Sequence, residues 1–279
     1  MIRIIHTIED LRAEIGAWRQ AGESVGLVPT MGALHEGHLS LVRLSCAKTL
    51  RTCVTSFVNP KQFGSNEDLN VYPRDEDGDA RKLTDEGVDL LFRPSLDEIY
   101  PPGFSTSVSV GGLGDILEGK FRPGFFNGVA TVVTKLLLLS LPDIAIFGEK
   151  DFQQLMIIKR LTCDLNIPVC IEAVPIVREE DGLALSSRNV YLSPRERAIA
   201  PILHGTVVQV AEQVGLGASP KEQIDWGRDQ LRQAGFSIVD YLTIRDAETF
   251  EEAKDLSRPV RVLVAAILGG TRLIDNVVV

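Results

Sequence analysis

Apolar and polar positions in the first part of the chain alternate between strand-like and helix-like periods. Short apolar runs predict buried strands over residues 2–5, 25–29, 52–58, 88–92, 143–147 and 169–177. Helical periodicity predicts helices over residues 7–21, 39–50, 128–141 and 151–165. Strands that alternate with helices favour a mostly parallel sheet covered on both faces. The pattern therefore predicts an α/β fold with a Rossmann-like, doubly wound parallel sheet over residues 1–177.

The pattern changes after about residue 178. Ser193 and Ser219 are each followed by proline and, three residues on, by glutamate, which predicts two helix starts with capping boxes. Residues 236–244, 261–268 and 273–279 alternate or run apolar, as in the strands of a small antiparallel sheet. We therefore expect a smaller α+β domain over residues 178–279.

Composition narrows the class of protein. The chain has 279 residues, 44% of them hydrophobic, and no window approaches the ~20 apolar residues that cross a bilayer. The N-terminus lacks a signal-peptide pattern, and the four scattered cysteines form no Cys-x-x-Cys pair, so we expect a cytoplasmic protein without a disulfide framework. A formal charge of −9 argues against nucleic acid as a partner but allows a small anionic substrate.

The stretch PTMGALHEGH follows the second predicted strand and contains the strongest candidate chemistry. In an open parallel sheet, ligands bind outside the carboxyl ends of the strands. A helix that begins near Gly37 offers unpaired N–H groups and the positive end of its dipole, both of which suit a phosphate. His35 and His38 lie three residues apart on one helix face, so both imidazoles can point at the same phosphate. Gly32 and Gly37 let the backbone approach it closely.

Two other interpretations of the histidines remain open at this point. They could form an ordinary solvated pair, or they could be two ligands of a metal. Zinc proteases, however, use His-Glu-x-x-His, in which the histidines are four residues apart. The remaining histidines, His6 and His204, are more simply structural. The position after a buried strand and the flanking glycines favour the phosphate interpretation.

One apparent motif is rejected. GDILEGKF, residues 114–121, nearly matches a P-loop, but Phe121 replaces the hydroxyl that should contact Mg²⁺, and two acidic residues would repel phosphates. The segment GKFRPGFFNG, residues 119–128, is better interpreted as a mobile glycine-rich loop.

Three further segments contain candidate site residues, although each also fits a plain turn or helix start. In FGEKDFQQL, Lys150 offers a compact positive charge for a polyphosphate, Asp151 an acceptor for ribose hydroxyls, and Gln154 a polar contact. In LALSSRNVYL, two hydroxyls and a guanidinium form a dense set of phosphate donors. In SFVNPKQF, Asn59 and Gln62 offer neutral amides suited to an uncharged polar substrate group.

Taken in order, PTMGALHEGH, SFVNPKQF, YPRD, FGEKDFQQL and SSRN resemble the pantothenate synthetase family, and the resemblance covers essentially the whole chain. HEGH resembles the His-x-Gly-His motif of a nucleotidyltransferase superfamily. The resemblance implies a ligase that joins D-pantoate to β-alanine with ATP and Mg²⁺, through a pantoyl adenylate, and releases AMP and pyrophosphate. It also implies a homodimer.

The resemblance further implies the roles of individual residues. His38 would donate a proton to departing pyrophosphate with His35 beside it, while Lys150 and Arg188 would neutralise charge. Gln62 and Gln154 would bind pantoate, with Gln62 also near β-alanine. Weaker candidates for substrate contact are Asn59, Glu118 and Arg122, and the last two could close the site. The ATP-binding set would be Met31, Gly32, Ala33, Leu34, His35, Glu36, Gly37, His38, Gly148, Glu149, Lys150, Asp151, Val177, Leu185, Ser186, Ser187 and Arg188.

Some details depart from the family pattern or remain open. The family usually has threonine after YPR, whereas this chain has Asp75. The sequence does not single out Asp75, Asp77 or Asp79 as a Mg²⁺ ligand, and all three also fit a solvated helix start. The second domain is expected to act as a lid.

Three alternative functions are less consistent with the sequence. Another His-x-Gly-His adenylyltransferase would act on a phosphorylated substrate and need more basic residues, and a nucleotide sensor would bind without catalysis. An aminoacyl-tRNA synthetase fragment is disfavoured by the negative charge.

Overall fold

A computed structural model describes residues 2–64, 67–253 and 255–279. The chain divides into two compact units, which are Met1–Glu149 with Gln153–Pro175, and Lys150–Phe152 with Ile176–Val279. The predicted domain boundary after residue 177 stays a prediction. The short segment Lys150–Phe152 belongs to the second unit although it lies within the first in sequence.

The first unit contains a six-stranded parallel sheet. Its strands are β1 Arg3–Ile5, β2 Val25–Thr30, β3 Arg51–Ser56, β4 Leu90–Phe92, β5 Ile144–Gly148 and β6 Cys170–Val174, in the order β1-β4-β3-β2-β5-β6. Every pairing is parallel. The predicted doubly wound parallel sheet is therefore confirmed.

Seven helices connect and cover these strands in the described part of the chain. They are α1 Ile8–Gln20, α2 Glu36–Lys48, α3 Glu76–Asp85, α4 Leu96–Ile99, α5 Glu118–Phe121, α6 Phe125–Ser140 and α7 Phe152–Asp164. Thr7 caps α1, since its hydroxyl accepts the Asp10 N–H at 3.1 Å. Helix α2 begins at Glu36, before the predicted start at residue 39.

The prediction of a loop over residues 119–128 is wrong, because α5 and the first turn of α6 lie there. The glycines of this segment serve close packing. A Cβ at Gly119 would lie 1.8 Å from the Gly114 carbonyl oxygen, and one at Gly128 would lie 2.0 Å from the Lys61 carbonyl oxygen.

Helix α2 packs closely on β2, which fixes the turn between them. A Cβ at Gly26 would lie 2.1 Å from Ser45 Oγ, so any larger residue would displace the side chains of α2 that pack here. Val28 of β2 and Leu41 and Val42 of α2 belong to one buried cluster. Apolar packing between β2 and α2 therefore fixes the position of the histidine turn that joins them.

The second unit contains a three-stranded antiparallel sheet, β7 Ile238–Asp246, β8 Val260–Leu268 and β9 Thr271–Val278. Its helices in the described residues are α8 Pro194–Ile199, α9 Ile202–Gly215 and α10 Pro220–Ala234. One apolar cluster joins α9 and α10 to alternate residues of β8. The expected small α+β domain is confirmed, whereas helix α9 is absent from the sequence-based prediction.

No helix among the described residues combines the length and apolar character needed to span a membrane.

Candidate active site

The strand order of the first unit locates a binding crevice. From β2 the chain adds β3 and β4 on one side and later β5 and β6 on the other, so the order reverses between β2 and β5. Ligands of open parallel sheets bind at such a switch point, outside the carboxyl ends of the strands. Strand β2 ends at Thr30, directly before the histidine turn, and β5 ends at Gly148.

The histidine turn reverses direction through two residues with positive φ. Gly32 has φ +80° and Ala33 has φ +52°, so the second residue accepts a conformation that costs a non-glycine residue energy. Helix α2 then begins with His35 as its cap, and the His35 and His38 ring centroids lie 4.1 Å apart. Both rings are half-buried. The predicted proximity of the two imidazoles is thus present in the structure.

The capping contacts indicate which ring nitrogens carry protons. His35 Nδ1 accepts the Gly37 N–H at 3.1 Å, and His38 Nδ1 faces the His35 N–H at 3.4 Å. A nitrogen that accepts a hydrogen bond is unprotonated in the neutral ring, so the proton of each neutral ring is placed on Nε2. Both imidazoles can then donate from Nε2. The Gly37 N–H was expected to be available to a phosphate, but it donates its hydrogen bond to His35 Nδ1 instead.

A buried carboxylate that the sequence did not single out holds this turn. Asp79 of α3 is 3% exposed and accepts the Ala33 N–H at 2.8 Å and the Leu34 N–H at 2.7 Å. Lys82 of the same helix donates to the Leu34 carbonyl oxygen at 2.6 Å. Burial raises the pKa of the Asp79 carboxyl, and the two N–H groups and Lys82 offset this only in part. The interpretation of Asp79 as a solvated residue is wrong.

The neighbouring acidic residues have other roles. Asp75 caps α3 by accepting the Gly78 N–H at 3.0 Å, and Asp77 is exposed in the first turn of this helix. In the part of the chain that the structure describes, no group of three or more His, Cys, Asp or Glu side chains is arranged to hold a metal ion.

Asn59 and Gln62 form a second polar group in the first unit. The Asn59 amide nitrogen donates to Gln62 Oε1 at 3.0 Å and to the Gly128 carbonyl oxygen at 3.1 Å. Its oxygen accepts from Tyr100 OH at 2.9 Å, and Asn59 is 1% exposed. Burial raises the pKa of Tyr100 to about 12, so its hydroxyl stays a donor. This geometry favours a role for Asn59 in orienting Gln62 over the predicted direct contact with substrate.

Adjacent glutamines on α7 differ sharply. Gln153 is 3% exposed and binds three backbone groups, the Glu118 N–H and the Leu113 and Ile116 carbonyl oxygens. Gln154 is half-buried, and among the described residues its amide has no hydrogen-bond partner. Gln153 therefore holds the backbone before α5, while Gln154 keeps the capacity to bind a ligand.

The weaker candidates Glu118 and Arg122 do not lie on an open loop. Glu118 is 7% exposed, and the Arg122 guanidinium pairs with both carboxylate oxygens of Glu67 at 2.6 and 2.7 Å. These contacts tie α5 to its surroundings in the first unit.

The second unit carries the remaining candidates on two segments. Lys150 and Asp151 lie in a short 3₁₀ turn, with Lys150 Nζ 3.6 Å from the Asp151 carboxylate. The other segment is a narrow hairpin in which the Val177 carbonyl oxygen accepts the Leu185 N–H at 3.0 Å. If Val177 binds adenine through its backbone, the contact must use the Val177 N–H or the second lone pair of the Val177 carbonyl oxygen.

The hairpin leads into the segment with Ser186, Ser187 and Arg188. Ser186 Oγ accepts the Arg188 N–H at 3.3 Å and so caps the 3₁₀ helix Ser187–Tyr191. Ser187 and Arg188 are half-buried at the start of this helix. The three predicted phosphate donors therefore lie together at the start of this helix, although the Ser186 hydroxyl is already used as its cap.

A second buried carboxylate, Asp275 of β9, fixes the base of this hairpin. It is 3% exposed and pairs with both terminal nitrogens of Arg178, at 2.7 and 2.8 Å. His204 Nδ1 of α9 lies 3.2 Å away, within ion-pair distance but outside the geometry of a well-formed hydrogen bond. Arg178 also donates to the Gly182 carbonyl oxygen at 3.0 Å, which closes the hairpin.

Comparison with known proteins agrees with this arrangement. The pantoate–β-alanine ligase family matches residues 3–278 of the chain. The chain is 53% identical to the pantothenate synthetase of Paramagnetospirillum magneticum over 99% of its own length and 97% of the relative. It is 52% identical to that of Rhodospirillum rubrum over 98% of both chains.

Solved structures give the same result. The crystal structure of pantothenate synthetase from Thermus thermophilus matches with a TM-score of 0.94 and 46% identity over 99% of both chains. Pantoate–β-alanine ligase from Francisella tularensis, complexed with β,γ-ATP and β-alanine, matches with a TM-score of 0.84 and 32% identity, over 99% of this chain and 97% of that one. The chain therefore belongs to the pantoate–β-alanine ligase family.

Proposed function

We propose that this chain condenses D-pantoate with β-alanine, and we assign the roles of its residues in that reaction. ATP is consumed, a pantoyl adenylate forms as intermediate, and AMP and pyrophosphate are released. The family match and the similarity to pantothenate synthetases along the whole chain support this reaction. The observation that carries the assignment is the pair of imidazoles, 4.1 Å apart, at the switch point of the parallel sheet.

In the first step the pantoate carboxylate attacks the α-phosphate of ATP, so one anion attacks another. Positive groups must therefore stabilise the charge that develops at phosphorus and on the leaving pyrophosphate. We assign the positive charge to Lys150 and Arg188, and hydrogen bonds from Nε2 to the phosphates to His35 and His38. We also assign to His38 the proton that goes to pyrophosphate. For this step its ring must be protonated on both nitrogens, so the 3.4 Å contact of its Nδ1 with the His35 N–H is given up. In the second step the β-alanine amine attacks the acyl carbon and AMP leaves. The remaining ATP-binding set, Met31–Gly37, Gly148, Glu149, Asp151, Val177 and Leu185–Ser187, holds the nucleotide.

The first unit offers amides rather than cations for the acid substrate. We assign Gln62 and Gln154 to pantoate, whose hydroxyl groups an amide can both donate to and accept from. Asn59 and Tyr100 orient Gln62, as their hydrogen bonds indicate. Arg122 is paired with Glu67. This supply of neutral groups weighs against an adenylyltransferase that acts on a phosphorylated substrate.

Mg²⁺ enters the proposal with ATP. The described residues provide no cluster of three side chains for a metal, and Mg²⁺ in nucleotide enzymes commonly keeps several waters and binds chiefly to the phosphates. The chain is compatible with that mode of binding. When bound, Mg²⁺ would neutralise part of the triphosphate charge, and no side chain is assigned to it.

The homodimer, the cytoplasmic location and the lid role of the second domain remain predictions. Light scattering coupled to gel filtration would measure the mass of the assembly directly.

The reaction is tested by substrate dependence. The protein is incubated with ATP, Mg²⁺ and a panel of carboxylic acids, and pyrophosphate exchange is followed. Exchange is expected with pantoate alone, and AMP should accumulate only after β-alanine is added. Exchange that requires a phosphorylated substrate instead would establish the rival adenylyltransferase, and nucleotide binding without any exchange would establish the sensor.

The role of His38 is tested by His38→Ala. We expect turnover to fall ~10²–10⁴-fold, as for loss of a general acid, while the Kd for ATP changes far less. His6→Ala is the matched control, since His6 is exposed and its ring forms one hydrogen bond within the described residues, with the Arg93 carbonyl oxygen at 2.7 Å. Loss of ATP binding with turnover preserved at saturating ATP would contradict the assignment.

A further inference from the structure

The last strand of the second unit holds the backbone of Lys150. The Asn276 amide nitrogen donates to the Lys150 carbonyl oxygen at 3.1 Å, across 126 residues of sequence. Asn276 is 2% exposed, so water does not compete for this bond. Lys150 lies in a 3₁₀ turn of three residues, which has little helical structure of its own to fix its backbone.

The orientation of the Asn276 amide is determined by its other neighbour. Arg261 of β8 donates from Nη1 to Asn276 Oδ1 at 2.6 Å and is itself 8% exposed. A guanidinium can only donate, so the amide oxygen must face Arg261 and the NH₂ group must face the carbonyl of Lys150. The Arg261 guanidinium carbon also lies 4.2 Å from the ring centre of Phe152, two residues after Lys150.

Asn276 and Asp275 project from opposite faces of β9, as successive residues of a strand do. Asp275 pairs with Val264, whose face packs in the apolar cluster with α9, whereas Asn276 pairs with Leu263 and shares its face with Arg261. Asp275 holds the hairpin before Arg188, and Asn276 holds the turn with Lys150. One strand thus anchors both segments of this unit that carry candidate phosphate-binding side chains.

We propose that Asn276 is a positioning residue for Lys150, and that it acts with Arg261 to set where the Lys150 ammonium meets the polyphosphate of the nucleotide. The inference rests on the proposed function, because it presumes that Lys150 contacts phosphate. A lysine side chain is long and flexible, so the position of its backbone limits where its charge can act. A displacement of about 1 Å at such a group can cost ~10²-fold in rate.

The substitution that tests this is Asn276→Asp, which keeps the size of the side chain and the acceptor for Arg261 but replaces the donor to Lys150 with an oxygen. We expect kcat/KM for ATP in pantoate-dependent exchange to fall ~10–100-fold, and ATP binding to weaken, without loss of the folded state. The matched control is Asp240→Asn. Asp240 lies in the same sheet and pairs with Arg272 of β9 at 2.7 Å, and no contact of the described residues links it to Lys150.

A double-mutant cycle with Lys150→Ala separates positioning from a general structural effect. If Asn276 acts through Lys150, Asn276→Asp should change ATP affinity less than ~3-fold when Lys150 is already alanine. An equal loss in both backgrounds, or Asn276→Asp with native kinetics, would overturn the inference and leave the proposed function intact. If Lys150→Ala alone bound and turned over ATP normally, the role of Lys150 would fail, and this inference would fail with it.

Discussion

Two aspartates, one in each unit, are equally buried and yet differ in the direction of their pKa shifts. Asp79 and Asp275 are each 3% exposed. Burial raises the pKa of Asp79, and its partners do not reverse this, since two are neutral N–H groups and Lys82 acts only at a distance through its charge. Burial also acts to raise the pKa of Asp275, but His204 and the guanidinium of Arg178 outweigh it, and the pKa is lowered.

At equal exposure the partners differ: His204 and the Arg178 guanidinium lower the pKa of Asp275, whereas backbone N–H groups and the charge of Lys82 leave the pKa of Asp79 raised. Asp79 fixes the geometry of the histidine turn by accepting two N–H groups of its backbone. Asp275 pairs with the half-buried guanidinium of Arg178 at the base of the hairpin before Arg188. Both hold a site segment from a distant element, by different physical means.

The largest effect on stability is expected from removing the charge of Asp275. Asp275→Ala would leave Arg178 without its partner, and breaking a buried ion pair in this way costs about 3–5 kcal/mol. Urea unfolding would measure the change in the free energy of unfolding. Asp229→Asn is the control, because the Asp229–Arg232 pair is exposed and should matter by less than about 1 kcal/mol. Similar losses for both variants would contradict this interpretation of Asp275.

A smaller loss of stability but a clear loss of activity is expected from Asp79→Asn. Asparagine keeps one acceptor, so one of the two N–H groups of the turn is left unsatisfied, at a cost of about 1–3 kcal/mol. Because the turn carries His35 and His38, the rate of pantoate-dependent pyrophosphate exchange should also fall ~10–100-fold. Asp85→Asn, on the exposed face of the same helix, should leave both unchanged. Full activity in a destabilised Asp79→Asn protein would show that Asp79 does not position the turn.

The smallest expected effect concerns how the free energy of unfolding depends on pH, because Asp79 and Asp275 should contribute to it with opposite signs. A lowered pKa gives Asp275 a stabilising contribution that is complete above the unfolded-state pKa and is lost as pH falls through the folded-state value. A raised pKa gives Asp79 a contribution that is present at low pH and is lost as pH rises through the folded-state value.

The measurement compares unfolding free energies of the native chain and each asparagine variant between about pH 3 and 5.5. On acidification the difference from Asp275→Asn should shrink, whereas the difference from Asp79→Asn should grow. Parallel curves would mean that the two carboxylates titrate alike.

Local patterns predicted the parallel sheet and the histidine turn, because strand and helix periods and the glycines around the histidines are encoded in neighbouring residues. The contacts that hold the site are not local. Asp79 and Asp77 look alike in the run DEDGDA, and only contacts with Ala33 and Leu34, 46 and 45 residues away, distinguish the buried one from the exposed one. Two polar residues inside the apolar strand 273–279 were the available signal for Asp275 and Asn276.

The glycine-rich segment shows a second limit of local patterns. Glycines suggested a loop over residues 119–128, but glycine also permits close packing, and at Gly119 and Gly128 it does so. The paired glutamines of α7 give the same lesson, since composition cannot tell that Gln153 is enclosed by backbone groups while Gln154 is not.

The bond from Asn276 to Lys150 also bears on how the protein is made. A ribosome synthesises the chain from its N-terminus, and domains generally fold as units while synthesis continues. All strands of the six-stranded sheet, with the histidine turn, can be complete before β9 has been translated. Until then the Lys150 carbonyl lacks its donor. A nascent chain would thus have a formed histidine turn before Asn276 could hold the backbone of Lys150.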